Sequence, residues 1–483
     1  MSRNADFKAL LFAVLLMLAV ALAARAEPVI NVEILPQSSG PKINENFVGL
    51  SFEIRDILAG TNGNHFLSPS NKRLIATFKT LGIKSLRVGG NTADRATIPM
   101  PATADVDSLF EFAKRADVKV IYTLRLNQGD AKAAAKMAGY IQQHYAKELD
   151  CFVIGNEPNT YFTNYPSYFA QWKTYAAQIT APTNVPEVQF CGPSVSPGHE
   201  KWSAQLAANL VGDTHLKFIS QHDYPGGDAR RVTNAVAGRN KILSQSMDAH
   251  YATFASHFVP VVISNGFAYR FEEANSFYDG GAEDVSDTFA SALWALDYEW
   301  WWASHGIIGI NFHTGDRVAA RDESKPCRYA TFWSTPDGYS VHPIGYAEKM
   351  FSMGSRGRLL PLKLSPVAGI DFNFAAYAVL SDDKNFYVTL INRNHDAAAT
   401  NLSVMVGAQG IEGWSKGEVI RLTAPDGDVS SKTGVVLGGA EITDNGQWDG
   451  KWQPMAVSPS KHESLIEVEL PAASAAIIKL TPK

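Results

Sequence analysis

The stretch Cys-Phe-Val-Ile-Gly-Asn-Glu-Pro-Asn, residues 151–159, joins a short apolar run to an acidic residue that stands between Asn and Pro. A run of this length predicts a buried strand, and the Gly and Pro predict that the chain turns where the run ends. The acidic residue, Glu157, is therefore expected at the junction of a strand and a loop. Seven other runs of strand character lie between residues 45 and 315: Val48–Glu53, Ser85–Gly90, Val118–Leu126, Val188–Gly192, Phe218–Tyr224, Tyr269–Glu273 and Ile307–His313.

Helical patterns alternate with these runs. The clearest covers Asp130–Ala146, where Asp130 stands at the capping position, and Asp287–Trp302 also presents apolar residues at helical spacing. Alternating strands and helices predict a parallel sheet with crossover helices, and eight units favour closure of that sheet. We therefore expect an α/β fold, a (β/α)8 TIM barrel over residues 45–356.

The pattern changes after about Arg358. Apolar residues then alternate with polar ones between turns, as in Phe386–Ile391 and Leu465–Leu470. This alternation predicts a C-terminal antiparallel β-sandwich over residues 357–483. The strand-like Val29–Leu35, within residues 27–44, is expected to join the same sandwich.

The first 26 residues have the order of a secretory signal peptide. Arg3 and Lys8 precede an apolar run from Ala9 to Ala24, and Ala24-Arg25-Ala26 resembles a cleavage site. The apolar run is short for a membrane span, and a retained N-terminal anchor is the alternative interpretation. We expect cleavage after Ala26 and a secreted or periplasmic protein that has no contact with a membrane after cleavage.

Composition excludes several classes of partner. The net charge is only −5 with both signs dispersed, which predicts no nucleic-acid surface and no polybasic membrane patch. Cys151, Cys191 and Cys327 lack metal-ligand or Cys-x-x-Cys spacing, so we expect no metal, no cofactor and no disulfide framework. Cys151 and Cys191 fall in strand-like segments, where buried free thiols are the expected state.

Two acidic residues lie at strand ends, where barrel enzymes carry their catalytic groups. Glu157 ends the fourth predicted strand and Glu273 the seventh. Cleavage of a glycoside with retention needs a proton donor and a nucleophile about 5 to 5.5 Å apart, which two such strand ends can provide. Asn156 is placed to bind the sugar 2-hydroxyl. Glu272 competes with Glu273, and strict alternation would turn one of them inward and the other outward.

The motif Asn156-Glu157-Pro158, together with a glutamate at the end of strand seven, resembles clan A of the retaining glycoside hydrolases. More narrowly, residues 273–281 followed by Ser-Asp-Thr-Phe-Ala at 286–290 are similar to glycoside hydrolase family seventy-nine, the β-glucuronidase and heparanase family. The resemblance implies that Glu157 is the general acid/base and Glu273 the nucleophile.

The resemblance also implies roles for residues around the two glutamates. Glu53, Asn91 and Asp94 match positions that bind sugar hydroxyls. Tyr224 matches the tyrosine that hydrogen-bonds the nucleophile, although a core tyrosine is the alternative. Arg87 is expected to brace the nucleophile region by charge-assisted hydrogen bonds.

A uronate substrate needs a group that binds its carboxylate. The resemblance implies a neutral clamp, made by tyrosine hydroxyls and by the backbone of the loop after the nucleophile, which contains Tyr278, Asp279 and Gly280 here. Tyr329 is the best match for the second tyrosine, and Tyr339 is next. Asp279 departs from the family pattern, because a small residue is common at that position.

These implications predict a retaining exo-β-glucuronidase that acts on glycans or glycosides containing glucuronic acid. One alternative is another clan A glycosidase, of the xylosidase or arabinofuranosidase type. A second is a heparanase-like endo-β-glucuronidase, and a third is a carbohydrate-binding protein without turnover.

Overall fold

A computed structural model describes residues 28–38, 40–181, 187–317, 325–365, 373–457 and 465–483. The predicted signal peptide, residues 1–26, lies outside the described residues. Among those that are described, no helix has both the length and the apolar character needed to cross a bilayer.

Eight parallel strands form a closed barrel, which confirms the predicted fold class. A first strand, β1 (Val29–Ile34), precedes the barrel. The barrel strands are β2 (Val48–Glu53), β3 (Ser85–Gly89), β4 (Lys119–Leu124), β5 (Leu149–Ile154), β6 (Phe190–Val195), β7 (Leu216–Asp223), β8 (Ala268–Ala274) and β9 (Ile310–His313). Pairing between β2 and β9, with Val48 opposite Ile310, closes the barrel. The carboxyl ends of all eight strands therefore meet at one mouth.

Helices fill most of the crossovers and pack on the outside of the barrel. They are α1 (Lys72–Leu81), α2 (Thr103–Ala116), α3 (Ala131–Tyr145), α4 (Tyr165–Ile179), α5 (Glu200–Asn209), α6 (Ala235–Ile242), α7 (Ser246–Ser256), α8 (Val259–Ser264), α9 (Phe289–Ser304) and α10 (Pro343–Gly354). Short 3-10 turns cover Ile54–Ile57, Pro158–Thr160, Ala229–Arg231, Asp396–Ala398 and Pro425–Gly427. Asp130 caps α3 by accepting a hydrogen bond from the amide of Lys132 at 2.9 Å.

The remaining strands form a hairpin and a two-sheet sandwich. They are β10 (Phe332–Thr335), β11 (Gly338–Val341), β12 (Arg358–Leu360), β13 (Leu362–Ser365), β14 (Phe374–Leu380), β15 (Phe386–Asn392), β16 (Leu402–Ala408), β17 (Trp414–Thr423), β18 (Val436–Leu437), β19 (Gln453–Met455), β20 (Ile466–Leu470) and β21 (Ser474–Pro482). One sheet has the order β13-β1-β16-β20, and the other has the order β12-β14-β15-β21-β17-β18, with β19 also paired to β17. Strand β1 runs parallel to β16, whereas the other sandwich pairs are antiparallel.

Helix α9 lies between the barrel and the sandwich, and all but its last residue are buried. Its Trp300 stacks on Tyr377 of β14, with ring centroids 5.5 Å apart. Its Asp297 pairs with Arg393, which follows β15, at 2.5 Å. The sandwich thus covers the face of α9 that would otherwise meet solvent.

The expectation of free thiols at Cys151 and Cys191 is wrong, because these residues form a disulfide with Cα atoms 6.1 Å apart. The strands β5 and β6 are neighbours, and Val153 is paired with Cys191, which brings Cys151 within reach. Both cysteines pack with Ile121 and Phe218 from other barrel strands, so the bond lies inside the floor of the barrel. Cys327 is free and buried.

Candidate active site

The segment that carries Glu157 turns sharply at the end of β5. Gly155 has φ 85°, and a Cβ atom there would come within 2.6 Å of the Tyr161 hydroxyl. Glu157 itself has φ 44°, and its amide donates to the carbonyl of Ser194 near the end of β6. This turn directs the Glu157 side chain over the mouth of the barrel, where it is 17% exposed.

The two predicted glutamates lie on either side of one histidine. His222 Nδ1 is 3.1 Å from Glu157 Oε1 and 3.8 Å from Glu273 Oε1. One polar atom from each of the three side chains lies within 4.8 Å of the others. Carboxylates about 5 to 5.5 Å apart suit retention, whereas inversion needs about 6.5 to 9.5 Å to admit a water molecule. The spacing is therefore that of a retaining pair.

These three side chains could in principle chelate a divalent cation. Burial lowers the pKa of His222, but the charges and hydrogen bonds of the surrounding glutamates raise it to about 9. A protonated imidazole has no lone pair for a metal. In that state His222 is a cation that bridges the two carboxylates.

Glu273 is held by strong donors. Arg87 Nη1 donates to its Oε2 at 2.6 Å, and the Tyr224 hydroxyl donates to its Oε1 at 2.8 Å. Burial would raise the pKa of Glu273, but the positive charges of His222, His313 and Arg87 outweigh it and lower the pKa well below its ordinary value. The carboxylate is ionised at neutral pH, as a nucleophile must be.

Arg87 connects both halves of the site from beneath. Besides Glu273, its guanidinium donates to Ser51 Oγ at 3.1 Å and to Asn156 Oδ1 at 2.5 Å. The side chain is completely buried. It fixes the orientation of the nucleophile and of the residue before Glu157 at the same time.

Glu272 also lies inside the barrel, so the expectation that one of the two neighbouring glutamates would point outward is wrong. The pairing of β8 with β9 shifts register between Phe271 and Ala274, which breaks strict alternation. Glu272 accepts from Ser220 Oγ at 3.2 Å and lies 3.5 Å from His222 Nε2. It is fully buried below Glu273 and has no path to a substrate.

Three tyrosines line the mouth beside the nucleophile. The ring of Tyr224 lies 6.2 Å from those of both Tyr278 and Tyr329. Tyr329 is buried, whereas Tyr278 is 39% exposed. Tyr339 lies elsewhere, because its hydroxyl accepts from Asn71 Nδ2 at 2.6 Å and its ring packs on Phe332 in the core. Of the two tyrosines considered for the clamp, the site contains Tyr329.

The loop after β8 is fixed on both sides. The carbonyl of Gly280 accepts from the amide of Arg328 at 2.6 Å, and the amide of Tyr278 donates to Gly227 at 3.0 Å. Asp279 has φ 69°, and its carboxylate pairs with Arg230 at 3.2 Å. These contacts hold the backbone of this loop against its two neighbouring segments.

Glu53 and Asn91 lie near each other at the ends of β2 and β3. Glu53 accepts from the amides of Asn91 at 3.2 Å and Thr92 at 2.7 Å, and its Oε1 lies 3.6 Å from His313 Nε2. Burial raises the pKa of Glu53, but the His313 hydrogen bond and charge bring the net pKa below its ordinary value. The Asn91 side chain is exposed at the mouth.

Asp94, also predicted to bind sugar hydroxyls, is hydrogen-bonded within the protein. One carboxylate oxygen accepts from the amides of Leu126 and Asn127, and the other accepts from the amide of Asn156 and the hydroxyl of Tyr161, at 2.6 to 2.9 Å. Both oxygens are thus committed to the protein. Asp94 instead holds Asn156 in place from below.

The structure adds two residues to the site, His222 and His313, which the sequence motifs did not predict. Both come at strand ends, in β7 and β9, which is the positional signal that could have found them. His313 lies 5.9 Å from the Tyr329 ring and donates to or accepts from Ser51 Oγ at 3.0 Å. Burial lowers its pKa, but the nearby carboxylates of Glu273 and Glu53 raise it overall.

A cavity of about 290 Å³ opens on the β2 and β9 side of the mouth. Phe52, Phe66 and Phe332 contribute apolar surface, while Asp56 and Asp316 contribute carboxylates. The cavity lies among the residues that follow β2 and β9, and Phe52, which packs on Phe78 of α1, forms part of its wall.

Known glycoside hydrolases resemble this chain in sequence and in fold. Residues 376–477 match the glycosyl hydrolase family 79 C-terminal beta domain. A β-glucuronidase of Neurospora crassa is 26% identical over 35% of this chain and 34% of its own length, and one of Aspergillus niger is 23% identical over 35% of each. The matched region thus spans about a third of these curated relatives.

Solved structures share the fold over nearly the whole chain. An arabinofuranosidase from Xanthomonas axonopodis pv. citri has a TM-score of 0.70 at 15% identity, and covers 94% of this chain and 100% of its own. A 4-O-α-L-rhamnosyl-β-D-glucuronidase from Fusarium oxysporum has the same TM-score and coverage at 20% identity. The C-terminal domain match and the two curated relatives confirm the resemblance of the chain to glycoside hydrolase family seventy-nine, and the solved structures share its fold.

Proposed function

We propose that this protein is a retaining β-glucuronidase that removes glucuronic acid by double displacement, and that its expected mode is exo-acting. The observation that carries the proposal is the close spacing of Glu157 and Glu273 around His222. In the first step Glu273 attacks the anomeric carbon while Glu157 donates a proton to the leaving oxygen. In the second step Glu157 removes a proton from water, which attacks the same carbon and releases the sugar.

The surroundings of the two glutamates support this division of roles. Glu273 is kept ionised by Arg87 and Tyr224, which favours nucleophilic attack. Among the described residues, Glu157 has no such donors beyond His222, and it is partly exposed, which suits an exchange of protons with the leaving group and with water. The Arg87 hydrogen bond to Asn156 orients a side chain that can bind the 2-hydroxyl.

The choice of a uronate over an uncharged sugar rests on the tyrosines and the loop after β8. Tyr278 and Tyr329 flank Tyr224 beside the nucleophile, where their hydroxyls and the backbone at Gly280 can hold a carboxylate. The β-glucuronidase names of the two curated relatives support the same substrate class.

The test compares aryl β-glucuronide with aryl β-xyloside, aryl α-arabinofuranoside and aryl β-glucoside. We expect the glucuronide to be preferred and the first-formed product, observed by proton NMR, to keep the β configuration. A preference for the xyloside or the arabinofuranoside would favour the other clan A activities. Binding of glucuronic acid without any turnover would indicate a carbohydrate-binding protein instead.

Tyr329→Phe tests the carboxylate clamp. The substitution deletes a hydrogen bond to a charged group, worth roughly 1.5 to 3 kcal/mol, so kcat/KM for the glucuronide should fall by about one to two orders of magnitude. Activity on the glucoside should change little. Tyr339→Phe is the matched control, because its hydroxyl bonds Asn71 and not the site. An unchanged preference in Tyr329→Phe would remove this residue from the clamp.

An endo-acting β-glucuronidase is the second candidate, and the cavity among the residues that follow β2 and β9 favours it. Its lining comes from residues after β2 and β9, the first and last barrel strands, which lie opposite β5 and Glu157 across the mouth. A sugar whose anomeric carbon faces Glu157 would direct its far end toward this cavity. The sizes of products from an oligosaccharide with internal glucuronic acid distinguish the two modes.

We further propose that the protein is exported, as its first 26 residues predict. The disulfide between Cys151 and Cys191 supports export, because such bonds persist in oxidising compartments.

A further inference from the structure

The loop that follows the nucleophile is docked against the loop that follows β7. The amide of Gly226 donates to Ser276 at 2.7 Å, the amide of Tyr278 donates to Gly227 at 3.0 Å, and the amide of Ala229 donates to Tyr278 at 3.2 Å. These backbone bonds bring Arg230 beside the proposed carboxylate clamp.

Arg230 is held in place by two acidic side chains. Its guanidinium makes two hydrogen bonds to Asp228, at 2.9 and 2.7 Å, and lies 3.2 Å from the Asp279 carboxylate. The Arg230 hydrogen bonds lower the pKa of Asp228 to about 2. Asp228 is nearly buried, whereas Arg230 is 54% exposed at the rim. The buried aspartate thus anchors a cation that faces Asp279.

Asp279 poses an electrostatic problem for a uronate substrate. It stands between Tyr278 and Gly280, in the segment whose backbone is proposed to hold the substrate carboxylate. An unpaired Asp279 would repel that carboxylate at short range, and an uncharged sugar would not be affected. The Asp279 side chain is only 15% exposed, so water screens its charge incompletely.

We infer that Arg230 is a specificity-determining positioning residue: by pairing with Asp279 it neutralises the carboxylate beside the clamp and thereby permits a negatively charged sugar to bind. This inference rests on the proposed function. Arg230 acts through Asp279 and does not touch the substrate.

The test measures KM and kcat for aryl β-glucuronide and aryl β-glucoside in four variants: Arg230→Gln, Asp279→Asn, the double variant and Arg231→Gln. At low salt Arg230→Gln should raise KM for the glucuronide about threefold to tenfold, with kcat and the glucoside KM little changed. A salt concentration of about 0.5 M should reduce the difference in glucuronide KM between Arg230→Gln and the wild type. The double variant should restore the glucuronide KM, because no charge then remains to be neutralised.

Arg231→Gln is the matched control, since Arg231 is 86% exposed and contacts Asp228 at 3.8 Å but not Asp279. It removes the same charge one residue away and should leave both KM values unchanged. Three results would overturn the inference: an equal loss on both substrates, an unchanged glucuronide KM, or a double variant no better than Arg230→Gln, which would mean that Arg230 contacts the substrate directly. A wild-type protein that hydrolyses the glucoside but not the glucuronide would overturn the proposed function, and this inference with it.

Discussion

Glu157 and Glu273 are the same residue type in two different environments, and the difference assigns their roles. Glu273 receives hydrogen bonds from Arg87 and Tyr224, which stabilise its negative charge. Glu157 receives none from an arginine or a tyrosine in the part of the chain that the structure describes, and it borders solvent. The neighbouring side chains thus distinguish Glu273, which must stay ionised, from Glu157, which must exchange protons.

Removal of each carboxylate should have a different effect. Glu273→Gln should abolish turnover of every glycoside, because no nucleophile remains. Glu157→Ala should keep activity on aryl glycosides whose leaving group needs no proton, and azide should rescue it to a β-glycosyl azide, measured by product analysis.

Glu272→Gln is the control for this pair. Since Glu272 lies below the site and has no path to the substrate, the variant should retain turnover and give no azide product. An inactive Glu272→Gln together with an active Glu273→Gln would place the nucleophile one residue earlier.

Single residues were predictable where a motif specified them, and not where three-dimensional contacts decide. Glu157 and Tyr224 follow from strand-end motifs. The contacts of Asp94 were not predictable, because its four partners come from the segments that follow β4 and β5, a convergence that the sequence does not display. The sequence does not distinguish His222 from any other histidine at a strand end. Only its position between the carboxylates of Glu157 and Glu273 reveals its role.

At the scale of elements, the alternation of apolar runs predicted every barrel strand to within a few residues. Side-chain direction was harder, because a register shift in β8 turns both Glu272 and Glu273 inward. Helix α9 shows a related limit. Helical spacing in Asp287–Trp302 predicted the helix, but the start at Phe289 and its complete enclosure depend on the sandwich that packs against it.

The disulfide between β5 and β6 gives a prediction at this scale. Denatured protein should have one titratable thiol without reductant and three with it, because Cys327 alone is free. Replacing Cys151 by alanine and Cys191 by serine in one variant should lower the free energy of unfolding by about 2 to 4 kcal/mol. Activity at moderate temperature should persist, since the bond lies in the barrel floor.

The control for the thiol count is Cys327→Ala, which should leave no titratable thiol until reductant is added. Three thiols in the unreduced wild-type protein would contradict the pairing.

At the scale of the whole molecule, buried acids couple stability to pH. Glu348 of α10 is fully buried and accepts one hydrogen bond, from Thr331 Oγ1 at 2.8 Å. Burial raises its pKa from the ordinary 4.5 to about 8. Glu299 of α9 is also buried, and its pKa is raised well above the ordinary range by burial and by the charge of Glu348.

The sign of the coupling follows from these directions. The folded protein keeps Glu348 protonated up to about pH 8, whereas the unfolded chain loses that proton near pH 4.5. The stabilisation is therefore complete below pH 4.5 and is lost as the pH rises toward 8. The melting temperature should fall between pH 5 and 8, and Glu348→Gln should flatten this decline.

The exposed Glu441→Gln is the control for this experiment, and its melting profile should follow the wild type. An equally steep decline in Glu348→Gln would assign the pH dependence to other groups.

The sequence also predicted that a barrel is followed by a sandwich. Apolar runs alternate with helical patterns in the barrel, whereas apolar and polar residues alternate one by one in the strands of the sandwich. The sequence did not reveal which strands share a sheet. Strands that are far apart in the chain pair in the sandwich sheets. The sequence of β1 does not indicate that β13 and β16 are its partners.

That pairing has a consequence for the timing of biosynthesis. Val29 pairs with Ser403, about 370 residues later, and Asn31 pairs with Ser365, so both partners of β1 are made only after the entire barrel. At about 5 to 20 residues per second, β1 waits for tens of seconds on the ribosome before either neighbour exists. Strand β1 is thus synthesised before the barrel but can pair only after it. The sheet that contains β1 cannot form until the barrel has been translated.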